Sequence, residues 1–243
     1  MYYWRLVVRN GRGRIITAAE RLVARHGIAG VSVRDIVAAA ALHNPSAIHY
    51  HFGSKAGLIQ AILEHRRDAV DPQRLRRLRE LDRTGGGKDL RPLVEAMVYP
   101  FAAYLQPGSH YARFLAQVFN SPTRDHLTAL ALPVQQGIKR LQARIFALLR
   151  PLPPAVRTQR FQLASGLLMQ AMAEHEQQLE NGQQPAIPTM ALAADLVEAI
   201  IAVLGAPLSP VTRQSLHARR RRPRAALKLR QRRASQPTDK GEP

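Results

Sequence analysis

The sequence contains no cysteine among its 243 residues. This absence excludes disulfide bonds, thiolate metal sites and cysteine nucleophiles. Aromatic residues make up only 5% of the chain, and 17 acidic residues stand against 36 lysines and arginines. The resulting formal net charge of +19 favours a polyanionic partner. Residues Ala206 to Pro243 hold 11 of the basic and only 2 of the acidic residues, so this segment supplies +9 of that charge.

The sequence also has no uncharged run of the roughly 18 residues needed to cross a bilayer. The apolar patch within Met1–Arg9 is too short for the core of a signal peptide. We therefore expect a cytoplasmic protein without a membrane partner, with residues 1–11 as a flexible arm. Residues 206–243 are rich in Pro, Arg, Ser and Gln, and we expect them to be a disordered basic tail. Its arginines either add nonspecific DNA affinity or have no role.

Hydrophobic residues are plentiful at 46%, with few alternating β-branched runs, and this composition favours an all-α fold. Breaks are predicted at Asp71-Pro72, at Thr84–Gly87 and near Pro133, and a kink is predicted at Pro100. Apolar residues at helical spacing predict helices over residues 13–26, 55–67, 89–105, 110–119, 123–149, 155–179 and 188–204.

The last two predicted helices are apolar over more than one face. Leu167 and Leu168 are neighbours in the first of them, and Val197 and Ile201 share the second with several other apolar residues. Such helices must bury both sides, either in the core of a large bundle or partly against a partner chain. The pattern favours neither alternative.

Three short helices are predicted within about 40 residues near the N-terminus. The first ends at Gly27, and the second begins after Ser32, with Asp35 three residues further on as in a capping box. The third runs from about Pro45, just after the N-cap Asn44, to His51. A tight turn between the second and third helices is typical of a helix-turn-helix motif.

The run SVRDIVAAAALHNPSAIHYHFGSKAGL resembles the N-terminal domain of TetR-family regulators, and the resemblance covers residues 12–66. Two differences are that Ala41 stands where glycine is common and that the turn is one residue longer. The resemblance implies a three-helix DNA-binding domain at 12–66 and a helical effector-binding and dimerisation body at 67–205. The homodimer would form through the last two helices of that body and would bind a two-fold operator.

The N-terminal end of a recognition helix points at base edges in the major groove. Asn44 can cap this helix and also reach a base or phosphate. The base-reading candidates are Asn44, Pro45, Ser46, Ala47 and His49. The resemblance further implies phosphate contacts from Ser32, Arg34, Tyr50, His51 and Lys55.

Other chemistries find little support. His49 and His51 are two residues apart on a helix, point to different sides and cannot chelate one ion well, so no metal is expected. The segment Thr84–Lys88 lacks the upstream glycine and following hydroxyl of a phosphate-binding loop. No cofactor is expected, and no catalytic constellation indicates an enzyme.

The functional hypothesis is a sequence-specific transcriptional regulator, in the form of a repressor that a small-molecule effector releases from its operator. Tyr99, Phe101, Tyr104 and the Tyr111–Phe114 stretch serve equally well as effector-pocket wall or as core, so the effector residues are left unassigned. One alternative is a helical small-molecule binding protein with a degenerate DNA-binding domain. A helical enzyme is a second alternative.

Overall fold

The computed structural model describes residues 11–42, 44, 46–105, 108–122, 136–216 and 218, and the regular structure there is helical, as expected for an all-α fold. The chain divides into two units, residues 1–205 and 206–243. A short 3-10 turn, Gly86–Lys88, lies between the fourth and fifth helices of the first unit. The helices of that unit are α1 (Gly11–His26), α2 (Val33–Ala39), α3 (Ser46–Phe52), α4 (Lys55–Thr84), α5 (Leu90–Ala102), α6 (Tyr111–Asn120), α7 (Gln136–Leu148), α8 (Pro154–Glu180) and α9 (Thr189–Gly205).

The caps predicted for the first helices are confirmed. Ser32 Oγ accepts a hydrogen bond from the Asp35 backbone N–H at 3.2 Å, and Asp35 Oδ2 accepts one from the Ser32 N–H at 2.8 Å. Asn44 Oδ1 accepts from the Ser46 N–H at 2.9 Å and so caps the start of α3. These side chains satisfy amide groups that the first turns of α2 and α3 leave without helical partners.

The turn between α2 and α3 forces a non-glycine residue into the left-handed region. Ala41 has φ of 51° and follows the C-cap Ala40. The Leu42 N–H donates to the Val37 carbonyl at 3.0 Å, and the Ala41 N–H donates to the Ala38 carbonyl at 3.0 Å. This is a Schellman arrangement, which usually places glycine where Ala41 stands. The sequence difference at this position therefore carries a conformational cost.

Helix α4 differs most from its prediction. It runs for 30 residues through Pro72, where a break was predicted. A proline inside a helix removes one backbone donor and costs about 3 kcal/mol. Val70 before it and Leu78 further along the helix are buried, and this packing favours the continuous helix. The expected boundary between domains at residues 66 and 67 therefore falls inside one continuous helix, and the division into domains stays a prediction.

Helix α4 also holds the start of α7 through a buried carboxylate. Asp71 Oδ2 accepts the Gly137 N–H at 2.9 Å, and Arg74 donates to Asp71 Oδ1 at 3.0 Å. Residues 123–135, directly before α7, lie outside the described residues, and the break expected near Pro133 is among them. The predicted bounds of α8 and α9 agree with the structure to within one residue at each end. Pro100, where a kink was predicted, lies inside α5.

The core of the first unit connects the N-terminal helices to the body. Helix α1 packs against α2, α4 and α6, while α6 packs against α8. Helix α5 lies against α4 and α9, and α7 lies against α4 and α5. Phe101, Tyr111 and Phe114 are buried in this core. Helix α6 thus lies between α1 of the helix-turn-helix region and the long helix α8.

In the second unit, Pro210–Leu216 is a helix, which we number α10. Ser209 Oγ accepts the Thr212 N–H at 3.1 Å, and proline takes the first helical position. Disorder was expected throughout residues 206–243, and this part of the expectation is wrong because Ser209 and Pro210 together start a helix. The basic residues from Arg219 onward lie outside the described residues.

Among the described residues, no single helix is long and apolar enough to cross a membrane, although α9 and α10 pass that test when joined as a bent pair.

Replacing Ala41 with glycine is expected to stabilise the protein, because glycine adopts positive φ without steric cost. After allowing for the greater entropy of glycine in the unfolded chain, Ala41→Gly should raise the free energy of unfolding by about 0.5–1 kcal/mol. Urea denaturation followed by circular dichroism measures the change. The matched control is Ala38→Gly, at an exposed position inside α2, which should lower stability by a similar amount. A loss of stability in both variants would contradict the assigned strain.

Candidate nucleic-acid interface

Helix α3 presents one side to the core and the rest to solvent. Ile48 is 2% exposed and anchors the helix, and the half-buried Phe52 packs against the core at its end. Ser46 and His49 are exposed, and Tyr50 is 85% exposed, the highest value among the large hydrophobic side chains that the structure describes. An aromatic side chain that gains almost nothing from burial in the free protein is available to a partner.

The base-reading candidates are only partly brought together. Ser46 and His49 lie exposed on α3, and Asn44 is exposed just before it, with its Oδ1 held by the cap. Ala47 is half-buried and packs against the core, so its methyl group is the least available of the set. Pro45 lies outside the described residues.

The phosphate candidates of α2 and α3 lie at exposed positions. Ser32 and Arg34 are exposed at the start of α2, where the Ser32 hydroxyl and the Asp35 carboxylate already cap the helix. Tyr50 and His51 stand on α3, with ring centroids 5.0 Å apart in an edge-to-face arrangement.

Lys55 differs from the other phosphate candidates. It is half-buried in the first turn of α4, and its Nζ donates to the backbone carbonyls of Ile28 and Val31, in the segment that joins α1 and α2. The Ser54 side chain caps the same helix by accepting the Gly57 N–H at 3.0 Å. In this structure the Lys55 ammonium is therefore directed at the protein's own backbone.

A buried ion pair holds α1 against α4 behind this surface. Arg66 Nε donates to Glu20 Oε2 at 2.7 Å, and Arg66 Nη2 donates to Glu20 Oε1 at 2.6 Å. The Arg66 and Glu20 side chains are 5% and 1% exposed. Burial raises the pKa of the Glu20 carboxyl, while the Arg66 charge and hydrogen bonds oppose that rise. The two-pronged geometry is the strongest that an arginine and a carboxylate can form.

Arg66 also connects this pair to the body. Its Nη1 donates to the Tyr104 hydroxyl, and its guanidinium lies 5.3 Å from the centroid of the Tyr104 ring. The Tyr111 ring, at the start of α6, lies 5.8 Å from the same guanidinium and 5.8 Å from the Tyr104 ring. One arginine thus joins α1 and α4 to α6 and to the residues after α5.

A second ionic cluster joins the end of α1 to α6 and α8. Glu176 accepts the Ala112 and Arg113 N–H groups at 3.2 and 3.0 Å, which satisfies the start of α6. Glu180 pairs with both Arg25 and Arg113. Burial lowers the pKa of His110 to about 4, so its neutral Nδ1 can accept a hydrogen bond from Arg113 Nη2 at 2.8 Å.

Sequence reasoning missed these supporting residues. One signal was present: Glu20 interrupts the apolar stripe that includes Ile16 and Val23, and a carboxylate on a buried stripe requires a partner. Its partner Arg66 lies 46 residues away, and nothing in the sequence selects it from the many arginines. Within the described residues, no group of three or more His, Asp or Glu side chains could hold a metal ion.

Family models match two parts of the chain. The model for "Bacterial regulatory proteins, tetR family" matches residues 15–62, and the model for "Tetracyclin repressor-like, C-terminal domain" matches residues 95–202. Together they cover more than half of the chain. No curated protein matches it.

Several solved structures are similar to the chain at low identity. A TetR-family transcriptional regulator from Rhodococcus sp. is 18% identical, with 80% of this chain and 98% of that chain covered and a TM-score of 0.45. One from Mesorhizobium loti is 16% identical, with 81% and 97% covered and a TM-score of 0.42. PfmR, a TetR-family regulator from Thermus thermophilus, is 20% identical, with 82% and 97% covered and a TM-score of 0.44.

Breaking the buried ion pair is expected to be costly. Arg66→Met leaves the Glu20 carboxylate buried without its charged partner and should lower the free energy of unfolding by about 3–5 kcal/mol. The double variant Glu20→Leu, Arg66→Met should lose clearly less, because neither charge then remains buried alone. Urea denaturation of the single and double variants measures both effects.

The exposed pair Arg83–Glu80, at the end of α4, supplies the matched control for this cycle. Arg83→Met removes the same charge from a solvated site, where an ion pair contributes little. Equal stability of Arg66→Met and Arg83→Met would show that the Glu20–Arg66 pair does not support the interface.

Proposed function

This chain belongs to the TetR family of bacterial regulatory proteins and is a DNA-binding transcriptional regulator, and we propose that it is a homodimeric repressor that a small molecule releases from its operator. The observation that carries the proposal is the solvent-facing surface of α3. This short helix is anchored by buried Ile48 and leaves Ser46, His49 and Tyr50 to a partner. The net charge of +19 supports a polyanionic partner.

Base reading is assigned to the leading end of α3. His49 can donate to a purine acceptor, and Ser46 can donate or accept at a base edge. Asn44, Pro45 and Ala47 complete the proposed set, with Asn44 primarily a cap.

Contacts to the DNA backbone are assigned to exposed side chains on both helices of the motif. Ser32 and Arg34 would bind phosphates from the start of α2, and Tyr50 and His51 would do so from α3. Such contacts position the protein and weaken with salt, but they carry no sequence information.

Dimerisation is assigned to the outer faces of α8 and α9. Leu163 is 54% exposed and Leu167 lies one turn further along the same face of α8, while Met190 is 54% exposed at the start of α9. The small residue Ala194 is exposed one turn after Met190 and would allow a second helix to approach closely there. A second copy of the chain is the proposed occupant, because a two-fold operator requires a two-fold protein.

Effector control is assigned to the body, residues 67–205, without a named binding residue. An effector that binds better to one arrangement of the body shifts the equilibrium between recognition-helix spacings. Helix α6 contacts both α1 and α8 and is a direct route for that shift. Because the proposed partner is chromosomal DNA, we place the protein in the cytoplasm.

The alternative of a degenerate DNA-binding domain is weaker. A protein that does not bind DNA has no use for the exposed Tyr50, His49 and His51 beside the buried Ile48 of α3. A protein of that kind would bind genomic DNA fragments no more tightly than scrambled ones at low salt.

His49→Ala is expected to alter sequence preference. Its loss should reduce affinity for the preferred genomic site by about fivefold to a hundredfold, because a base contact contributes about 1–3 kcal/mol of discrimination, while affinity for random DNA changes little. Fluorescence anisotropy with both DNAs at one salt concentration measures this. Tyr50→Phe is the control and should weaken both DNAs equally. Equal losses for His49→Ala would contradict base reading.

Leu163→Glu is expected to convert the dimer to monomer, because a carboxylate would be buried in the proposed interface without a partner. Gln162→Glu introduces the same charge at an exposed neighbour on another face of α8 and should leave the dimer intact. Sedimentation velocity of both variants decides the matter. If the Leu163→Glu protein is still a dimer, the interface does not include this face of α8.

A further inference from the structure

We propose that Lys55 is a positioning residue, which ties the segment between α1 and α2 to the start of α4 and so fixes where α2 begins, instead of binding a phosphate. This inference rests on the proposed function, since it concerns the same DNA surface. Its basis is the contact of the Lys55 Nζ with the carbonyls of Ile28 and Val31.

The segment between α1 and α2 needs such a tie. It contains Gly27, with φ of 73°, and Gly30, where a Cβ would overlap the His26 carbonyl oxygen. Two glycines so close together give the backbone little stiffness of its own. The buried Val31 and the half-buried Ile28 anchor the segment through their side chains, which leaves its backbone to be held by hydrogen bonds. Hydrogen bonds from the Lys55 side chain on α4 restrict the backbone conformations that these glycines allow.

Electrostatics also favour this position of the ammonium group. A cation at the N-terminal end of a helix faces the positive end of the helix dipole, which is unfavourable unless something negative compensates. Lys55 lies at that end of α4, and the two carbonyl oxygens just beyond the C-terminal end of α1 compensate. The ammonium has three N–H donors, and two are already used. While both carbonyl contacts persist, only one donor is left for a phosphate, and a phosphate contact that uses more donors would have to displace them.

The consequence for DNA binding is geometric. Val31 is directly followed by Ser32, the N-cap of α2, and Arg34 stands in the first turn of that helix. A tie at Ile28 and Val31 therefore sets the position of the exposed start of α2 relative to α4. Helix α3 packs on α4 as well, so the positions of α2 and α3 both depend on the same long helix.

Lys55→Met tests the proposal, because it removes the charge and the donors while keeping a side chain of similar length. Affinity for the preferred genomic site should fall about tenfold, as base contacts lose their alignment, with random-DNA affinity at low salt nearly unchanged. The slope of log affinity against log salt should also stay unchanged. Amide hydrogen exchange across residues 31–35 should accelerate.

Arg34→Met is the matched control, since it removes a cation from an exposed site at the start of α2. It should weaken both DNAs equally and make the salt slope shallower by about 0.9, as one lost phosphate contact requires. Its hydrogen exchange should match the unaltered protein. If Lys55→Met instead behaves like Arg34→Met in the salt slope, Lys55 binds a phosphate and the proposal is overturned.

Two further measurements guard against ambiguous outcomes. If Lys55→Met does not fold, NMR of the unaltered protein on DNA decides: a scalar coupling between Lys55 Nζ and a phosphorus nucleus overturns the proposal, and persistence of its carbonyl hydrogen bonds supports it. If the unaltered protein prefers no DNA site, the proposed function fails by itself. The hydrogen-exchange comparison then still decides whether Lys55 restrains the segment.

Discussion

The buried pair between Glu20 and Arg66 is the interaction on which the arrangement of the first unit depends. Two charges removed from water are tolerated only if each satisfies the other, and the two-pronged geometry does so. Because Glu20 belongs to α1 and Arg66 to α4, the pair fixes the two helices that support α2 and α3. An apolar contact at the same place would permit sliding, whereas paired hydrogen bonds fix one register.

The same arginine connects the helices that support the helix-turn-helix motif to the body of the protein. Arg66 contacts Tyr104 and lies near Tyr111, while Glu180 on α8 pairs with Arg25 on α1. Any displacement of α6 must therefore break or rearrange these charged contacts, and sliding of apolar side chains alone would not accommodate it. Interfaces of this kind favour a few discrete packing arrangements over gradual deformation.

Local chemistry made much of the fold predictable from sequence. The caps at Ser32 and Asn44 were predicted because each acts within three residues of itself, and the apolar spacing predicted α8 and α9 closely. The continuity of α4 through Pro72 was missed, since the packing that offsets a proline is tertiary. The contact of Lys55 with the segment after α1 was not predicted, because the sequence does not reveal that this segment folds back onto it. The pairing of Glu20 with Arg66 was missed for the same reason.

If the chain forms the proposed dimer, the unbroken course of α4 has a consequence for the spacing of the two operator half-sites. Its 30 residues extend about 45 Å, so a rotation of about 5° at one end displaces the other end by about 4 Å. Successive major grooves on one side of a duplex repeat about every 34–36 Å, and a shift of that size is enough to lose register with them. In the proposed dimer, a lever of this length would leave a narrow mechanical tolerance, because a few degrees would separate an arrangement that fits both grooves from one that fits neither.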